Sequence, residues 1–208
     1  MPKKSKPFHP TIATLDLRAA RPTQISVGMA EVDDKRREWQ KLGRNKRQEM
    51  IGSHVFPGVL GPDRQIYIVD HHHLGLAMLL DGITTATAMI QRDFSMLEGS
   101  VFWRTMEYFR WAHPYDRDGH RVAFSEIPES LHEMQDDPYR ALSAYVRTHG
   151  GYAKDALPYS EFLWADFFRP QFKLKKSRPA KADIKRAVEL AQQSDASYLP
   201  GWSGPHHA

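Results

Sequence analysis

The chain has 208 residues, 41% hydrophobic and 11% aromatic, enough apolar material for a buried core and too much for wholesale disorder. Its 29 Lys and Arg against 25 Asp and Glu leave a net charge of +4, and the basic clusters (Lys3-Lys4-Lys6, Lys35 to Arg37, Arg44 to Arg47, Lys173 to Arg178) are dispersed rather than massed on one segment. The absence of cysteine excludes disulfides, thiolate zinc sites and cysteine nucleophiles.

Residues 1–14 read as a flexible basic arm. Met1 to Pro10 lacks the apolar run of a signal peptide, and no stretch approaches the roughly 18 apolar residues of a membrane span. A cytoplasmic protein with no membrane partner is expected. Thr14 to Leu17 begins a short strand, broken near Arg21-Pro22, where proline fixes the backbone. Met29, Val32, Trp39 and Leu42 recur near helical spacing after Gly28, predicting a charged helix that stops at Gly43, with a second basic helix over 44–51. Val55 to Leu60 and Gln65 to Val69 predict two strands around the turn Gly61-Pro62-Asp63-Arg64. A helix over 72–81, with Leu76, Leu79 and Leu80 inward, ends at Gly82, and the β-branched run Thr84 to Ile90 returns as a strand. Strand–helix–strand at this length predicts a mixed α/β (α+β) core over 15–95. Residues 96–202 read as a helical C-terminal region packed on that core: helices over 97–111 (Val101, Phe102, Met106 and Phe109 inward), 138–148, 159–168 and 183–193. Residues 203–208 read as a flexible tail, so His206 and His207 carry little weight.

The stretch Tyr67-Ile68-Val69-Asp70-His71-His72-His73 places an aspartate and three histidines where a strand becomes a helix. The first turn of a helix has unpaired N–H groups and a dipole that favours anions, so phosphate sits well there. Asp70 is expected to cap the helix through its carboxylate. The histidines can donate to phosphate oxygens or carry protons near neutral pH. Adjacent helical residues point about 100° apart, which disfavours one metal ion gripped by His71 and His73. Asp116, Asp118 and His120 in a polar loop offer oxygen ligands suited to Mg²⁺, or form only a turn. Trp103, Trp111 and Trp164 could stack a nucleotide base, although aromatics at helical spacing more often fill a core.

Val69-Asp70-His71-His72-His73-Leu74-Gly75-Leu76-Ala77 resembles the Asp-Gly-His-His-Arg box of the ParB-like nuclease family, in the ParB/sulfiredoxin superfamily. Arg21-Pro22-Thr23-Gln24, Val27-Gly28-Met29, Glu31-Val32, Trp111 to Asp116, Asp136 to Arg140, Gly150-Gly151-Tyr152 and Trp164 to Phe168 fit the same resemblance, which covers roughly residues 12–202. Two positions depart from the box: His71 stands where the wider family has Gly, and Leu74 where it has Arg. An arginine there would hold phosphate bidentately, so Lys35 or Arg36 would have to supply the charge.

The resemblance implies a ParB/sulfiredoxin-like core that binds a nucleotide (ATP, ADP or CTP), with Mg²⁺ assisting. ParB relatives hydrolyse CTP, free serine kinases use a glutamate base, and sulfiredoxins need a cysteine that this chain lacks. Glu31, with His72 and His73, is the expected catalytic set; Gln24, Gly28, Lys35, Asp70, His71, His72 and His73 are the expected nucleotide-binding set. Glu31 as proton acceptor and Glu31 as dipole complement at a helix start both fit the sequence. The expected function is NTP hydrolysis or phosphoryl transfer to a small hydroxylated acceptor. DNA binding or nuclease action, and a non-catalytic nucleotide sensor, are the alternatives; no helix-turn-helix is legible over 96–208.

Overall fold

The computed structural model describes residues 8–205. A four-stranded mixed sheet has the order β1-β5-β3-β4, with β1 over Thr11–Asp16, β3 over Val55–Leu60, β4 over Ile66–Ile68 and β5 over Thr85–Asp93. The β3–β4 pair is antiparallel, β3 and β5 run parallel, and β1 closes the far edge antiparallel to β5. The α/β class expected from strand–helix–strand spacing is the class observed.

The helices are α1 (Met29–Gln40), α2 (Arg44–Gly52), α3 (His72–Leu80), α4 (Gly99–Tyr108), α5 (Pro138–Thr148), α6 (Ser160–Phe168) and α7 (Lys181–Ala191). The main core lies between the sheet, α1 and α3, around Leu15, Trp39, Phe56, Ile68, Leu76 and Met78. A second core around Leu142, Trp164, Phe168 and Ala187 joins α5, α6 and α7. Inside the main core, the Trp39 indole N–H donates to Asp81 at the end of α3, tying α1 to α3. No helix among the described residues is long and apolar enough to cross a membrane.

Several sequence expectations are corrected. Residues 1–7 lie outside the described residues, but 11–14 belong to β1 rather than to a loose arm, held by pairing along β5. The tail expectation for 206–208 also falls outside the described residues, while Trp202 before it is tied by its indole N–H to the Gln193 carbonyl. Helix α4 stops at Tyr108, three residues short of Trp111, because Arg110 turns left-handed (φ 55). There Trp111 N–H bonds the Met106 carbonyl and Arg110 N–H bonds that of Glu107, a Schellman closure made without glycine. Val101, Phe109 and Leu80, expected inward, are substantially exposed.

Two one-step strands missed in the sequence position the site. β2 (Ser26–Val27) pairs in parallel with β6 (Gln135–Asp136), bringing the starts of α1 and α5 together. Asp136 Oδ1 then accepts the Met29 N–H at 3.0 Å, capping α1 from 107 residues away. Its neighbour Asp137 caps α5 through the N–H groups of Tyr139 and Arg140, and its fully buried carboxylate pairs with Arg169 at 2.6 Å. Gly28 is required at this junction, since a Cβ there would lie 2.8 Å from the Ala141 backbone.

Candidate phosphate-binding site at the start of helix α3

A cavity of about 720 Å³ opens where β4 turns into α3, walled by α1, α5, α6 and the loop over 154–159. Gln24, Glu31, Lys35, Asp70, His71, His72 and His73 all line it, so seven of the expected site residues meet around one space. Gly28 does not line it. Its N–H donates to His73 Nε2 at 2.9 Å, so it has no donor left for a phosphate.

The three histidines differ in their surroundings. His71, not Asp70, is the N-cap residue of α3, in the left-handed region (φ 65, ψ 23). Asp70 instead accepts the His71 N–H at 2.6 Å, so the expected side-chain cap is replaced by a bond to the adjacent residue. A left-handed L-residue costs about 1–2 kcal/mol, and glycine avoids that cost, which explains physically why glycine suits this place in the box. The His71 ring rests edge-on against Phe56 and His54, its Nδ1 buried without a partner, and burial lowers its pKa. A direct consequence is that His71→Gly should be more stable than His71→Ala by about 1 kcal/mol, since a left-handed N-cap favours glycine. Urea denaturation of the two variants measures it; an Ala variant equal to or more stable than Gly would refute the strain.

His72 is 2% exposed and its Nε2 accepts the Thr23 N–H at 3.1 Å, which places the ring proton on Nδ1. Burial drives its pKa down to about 3. The ring is buried and bonded, and it ties the corner to the 21–24 segment. His73 Nε2 accepts from Gly28 and lies 3.3 Å from Glu31 Oε1, joining the start of α3 to that of α1.

Glu31 faces the cavity, as a base must. Its Oε1 accepts from Arg140 Nη1 at 2.7 Å. Burial pushes its pKa up, and Arg140, followed by His73 and Lys35, outweighs burial and brings it down to about 2. A carboxylate so weakly basic is a poor proton acceptor near neutral pH, where an effective base has a pKa near the working pH. The dipole-complement alternative is likewise incomplete, because the partner is a side chain on another helix.

Lys35 lines the cavity, whereas Arg36, the other expected source of charge, is turned to Asp81 at 2.9 Å. Gln24 is buried, its amide donating to the Ser26 carbonyl at 2.7 Å. Trp164 belongs to the second core and Trp103 packs on Tyr67, Phe102 and Phe124, so neither is available to a base. Trp111 does line the cavity. Asp116 spends its Oδ1 on the N–H groups of Asp118 and His120, as a turn does. No group of three or more His, Asp or Glu among the described residues could hold a metal ion.

Sequence reasoning missed Arg110, Arg140, Arg147, Lys154, Tyr159 and Glu161, all on the cavity wall. Arg140 stands in the Asp136 to Arg140 stretch that carries part of the family resemblance, the one signal that could have found it. Three of the five left-handed non-glycine residues among those described, His71, Arg110 and Tyr159, line this cavity. Strain of this kind, roughly 1–3 kcal/mol per residue, gathers at functional sites.

The family described as "Putative ParB-like nuclease" matches residues 13–170. Protein Atu1540 from Agrobacterium tumefaciens, known from a crystal structure, is similar at 36% identity and a TM-score of 0.88, with 96% of this chain and 100% of that chain covered. No curated protein matches. The cavity at the Asp70 to His73 corner is therefore built on the segment that resembles the family's box, and the chain belongs to the ParB-like nuclease family.

Proposed function

We propose that this protein binds a nucleoside di- or triphosphate in the α3 cavity and acts on its phosphate, by hydrolysis or by transfer to a small hydroxylated acceptor. The observation that carries the reading is the start of α3 opening onto a cavity ringed by Lys35, Arg110, Arg140, Arg147 and Lys154. Unpaired first-turn N–H groups, the helix dipole and surrounding cations all favour the same anion. His71 N–H is occupied by Asp70, which leaves His72, His73 and Leu74 as the first-turn donors for this role. A volume of about 720 Å³ suits a nucleotide, and Trp111, stacked on Phe109 at 5.0 Å, lies on the cavity wall. Asp70 and Asp155 also line the cavity, and one or two carboxylates are what Mg²⁺ takes from a protein when phosphates complete its shell. Proton acceptance falls to His71, which burial keeps neutral, rather than to Glu31.

Thermal shift with ATP, ADP, CTP and GTP, with and without Mg²⁺, tests the reading. At ligand 100 times its Kd, binding to the native state adds about 2.7 kcal/mol and raises the melting temperature. No shift with any nucleotide would overturn it. The family description favours a second reading, nuclease action on DNA. It predicts tight binding that weakens steeply with salt, together with metal-dependent plasmid nicking. The modest charge of +4 argues for weak DNA binding instead.

A further inference from the structure

We propose that Arg140 is the residue that grips the phosphate oxygens in the cavity, with Glu31 as the counter-ion that holds it ready. The inference rests on the phosphate-handling reading above and names the side chain that does the binding.

The first turn of α3 carries no lysine or arginine, and its His72 is held neutral by burial. Charge must come from the facing helices. Arg147 is already ion-paired with Glu161. Lys154 and Arg110 stand exposed at the rim, and Lys35 is half-buried on α1. Arg140 differs from all of these: it is 8% exposed, its charge strengthened by Glu31 and Glu161 against the opposing effect of burial. Of its five N–H donors one is spent, Nη1 on Glu31, and Nε is buried with no partner at all.

Nε is enclosed by protein and out of a ligand's reach, whereas Nη2 makes no protein hydrogen bond and is not enclosed, so it and the second Nη1 proton are the donors open to a ligand in the cavity that Arg140 lines. The plane is fixed on two sides, by Glu31 on α1 and by the face of Phe162 on α6, 5.4 Å from the guanidinium carbon. A planar fork held in one orientation matches two oxygens of a phosphate, which a lysine at the same place would meet only as a point charge. On this account the low pKa of Glu31 follows from its task, since a carboxylate that stays ionised keeps Arg140 in place.

Calorimetric titration with sodium tripolyphosphate, which has no base or sugar, and with ATP tests the proposal. Arg140→Gln alone would strand Glu31, so the informative variant is Glu31→Gln/Arg140→Gln, which removes both charges together. Arg140→Lys keeps the charge and loses the fork, and Arg36→Gln, whose arginine is tied to Asp81 outside the cavity, controls for lost charge. Circular dichroism checks that each is folded. The wild-type protein is expected to bind both probes, the double variant to lose about tenfold or more for both, Arg140→Lys to fall between, and Arg36→Gln to match wild type. A folded double variant or an Arg140→Lys variant that binds as wild type overturns the role of Arg140 while leaving nucleotide binding intact. Wild-type binding of ATP without tripolyphosphate also overturns it, because the affinity would then come from the base. Failure of the wild-type protein to bind either probe overturns both readings.

Discussion

Acidification is expected to destabilise this protein before its carboxylates titrate. His72 is buried and His113 half-buried, and desolvation lowers the pKa of each from 6.5 to about 3. His113 lies within ring contact of Tyr115, Tyr159 and Phe162, and a proton there would be opposed by Arg140 as well as by burial. Between about pH 6.5 and 3 the unfolded chain binds two protons that the folded chain refuses, so stability falls as pH falls. The slope is about 1.4 kcal/mol per pH unit for each histidine, near 2.7 for the two. Glu31 adds to the loss below its unfolded value of 4.5, because its folded pKa is depressed to about 2. Asp137 opposes it, burial having raised its pKa above the usual 3.8. Against a typical total of about 5–15 kcal/mol, two units of acidification remove much of the stability. Urea denaturation at pH 7, 6 and 5 should show this slope, and His72→Gln, whose amide oxygen can still accept from Thr23, should halve it. Stability that stays flat from pH 6.5 to 5 would show that neither ring is held neutral by the fold.

Separate removal of Glu31 or Arg140 is expected to cost far more than removal of both. Their side chains are 20% and 10% exposed and joined at 2.7 Å. Breaking a buried pair leaves one charge uncompensated and costs about 3–5 kcal/mol, whereas removing both leaves none. Because both groups border the cavity, about 3 kcal/mol is expected for Glu31→Gln and for Arg140→Gln, at the lower end of that range. A double-mutant cycle by urea denaturation should therefore give a coupling energy of about 2 kcal/mol or more. Additive effects would mean that solvent in the cavity already screens the two groups, and Glu31 would lose its positioning role. The cycle also separates that role from general-base catalysis, in which Glu31→Gln lowers turnover by about 100-fold or more with stability nearly unchanged.

The parts of this fold that were legible in the sequence are those built from local signals. The hairpin β3–β4 announced itself through β-branched runs around Gly61-Pro62-Asp63-Arg64, and α3 through an apolar run after the Asp70 to His73 corner and before Gly82. The convergence of Glu31 and Lys35 with that corner was reached through the family resemblance, since nothing in the spacing places α1 beside α3. The first residues of β1 were hidden because Thr11 and Ile12 are exposed and form a strand only by pairing with β5. The β2–β6 pairing is two residues long and bridges more than a hundred, so no local pattern reports it. That pairing is also why Arg140 went unnoticed. On α5 it reads as one more amphipathic-helix arginine, and only the joined starts of α1 and α5 bring it to Glu31. His72 misled for the opposite reason: the sequence shows three equivalent imidazoles, and only burial distinguishes the one that is bonded to Thr23.

The most direct test of the account follows the backbone amide resonances of the protein during titration with ATP and with tripolyphosphate. Binding at the start of α3 predicts that His72, His73 and Leu74 show the largest shifts with both probes, accompanied by the side-chain signals of Arg140 and Lys35. Shifts confined to dispersed surface lysines, or none at these three amides at saturating ligand, would contradict it.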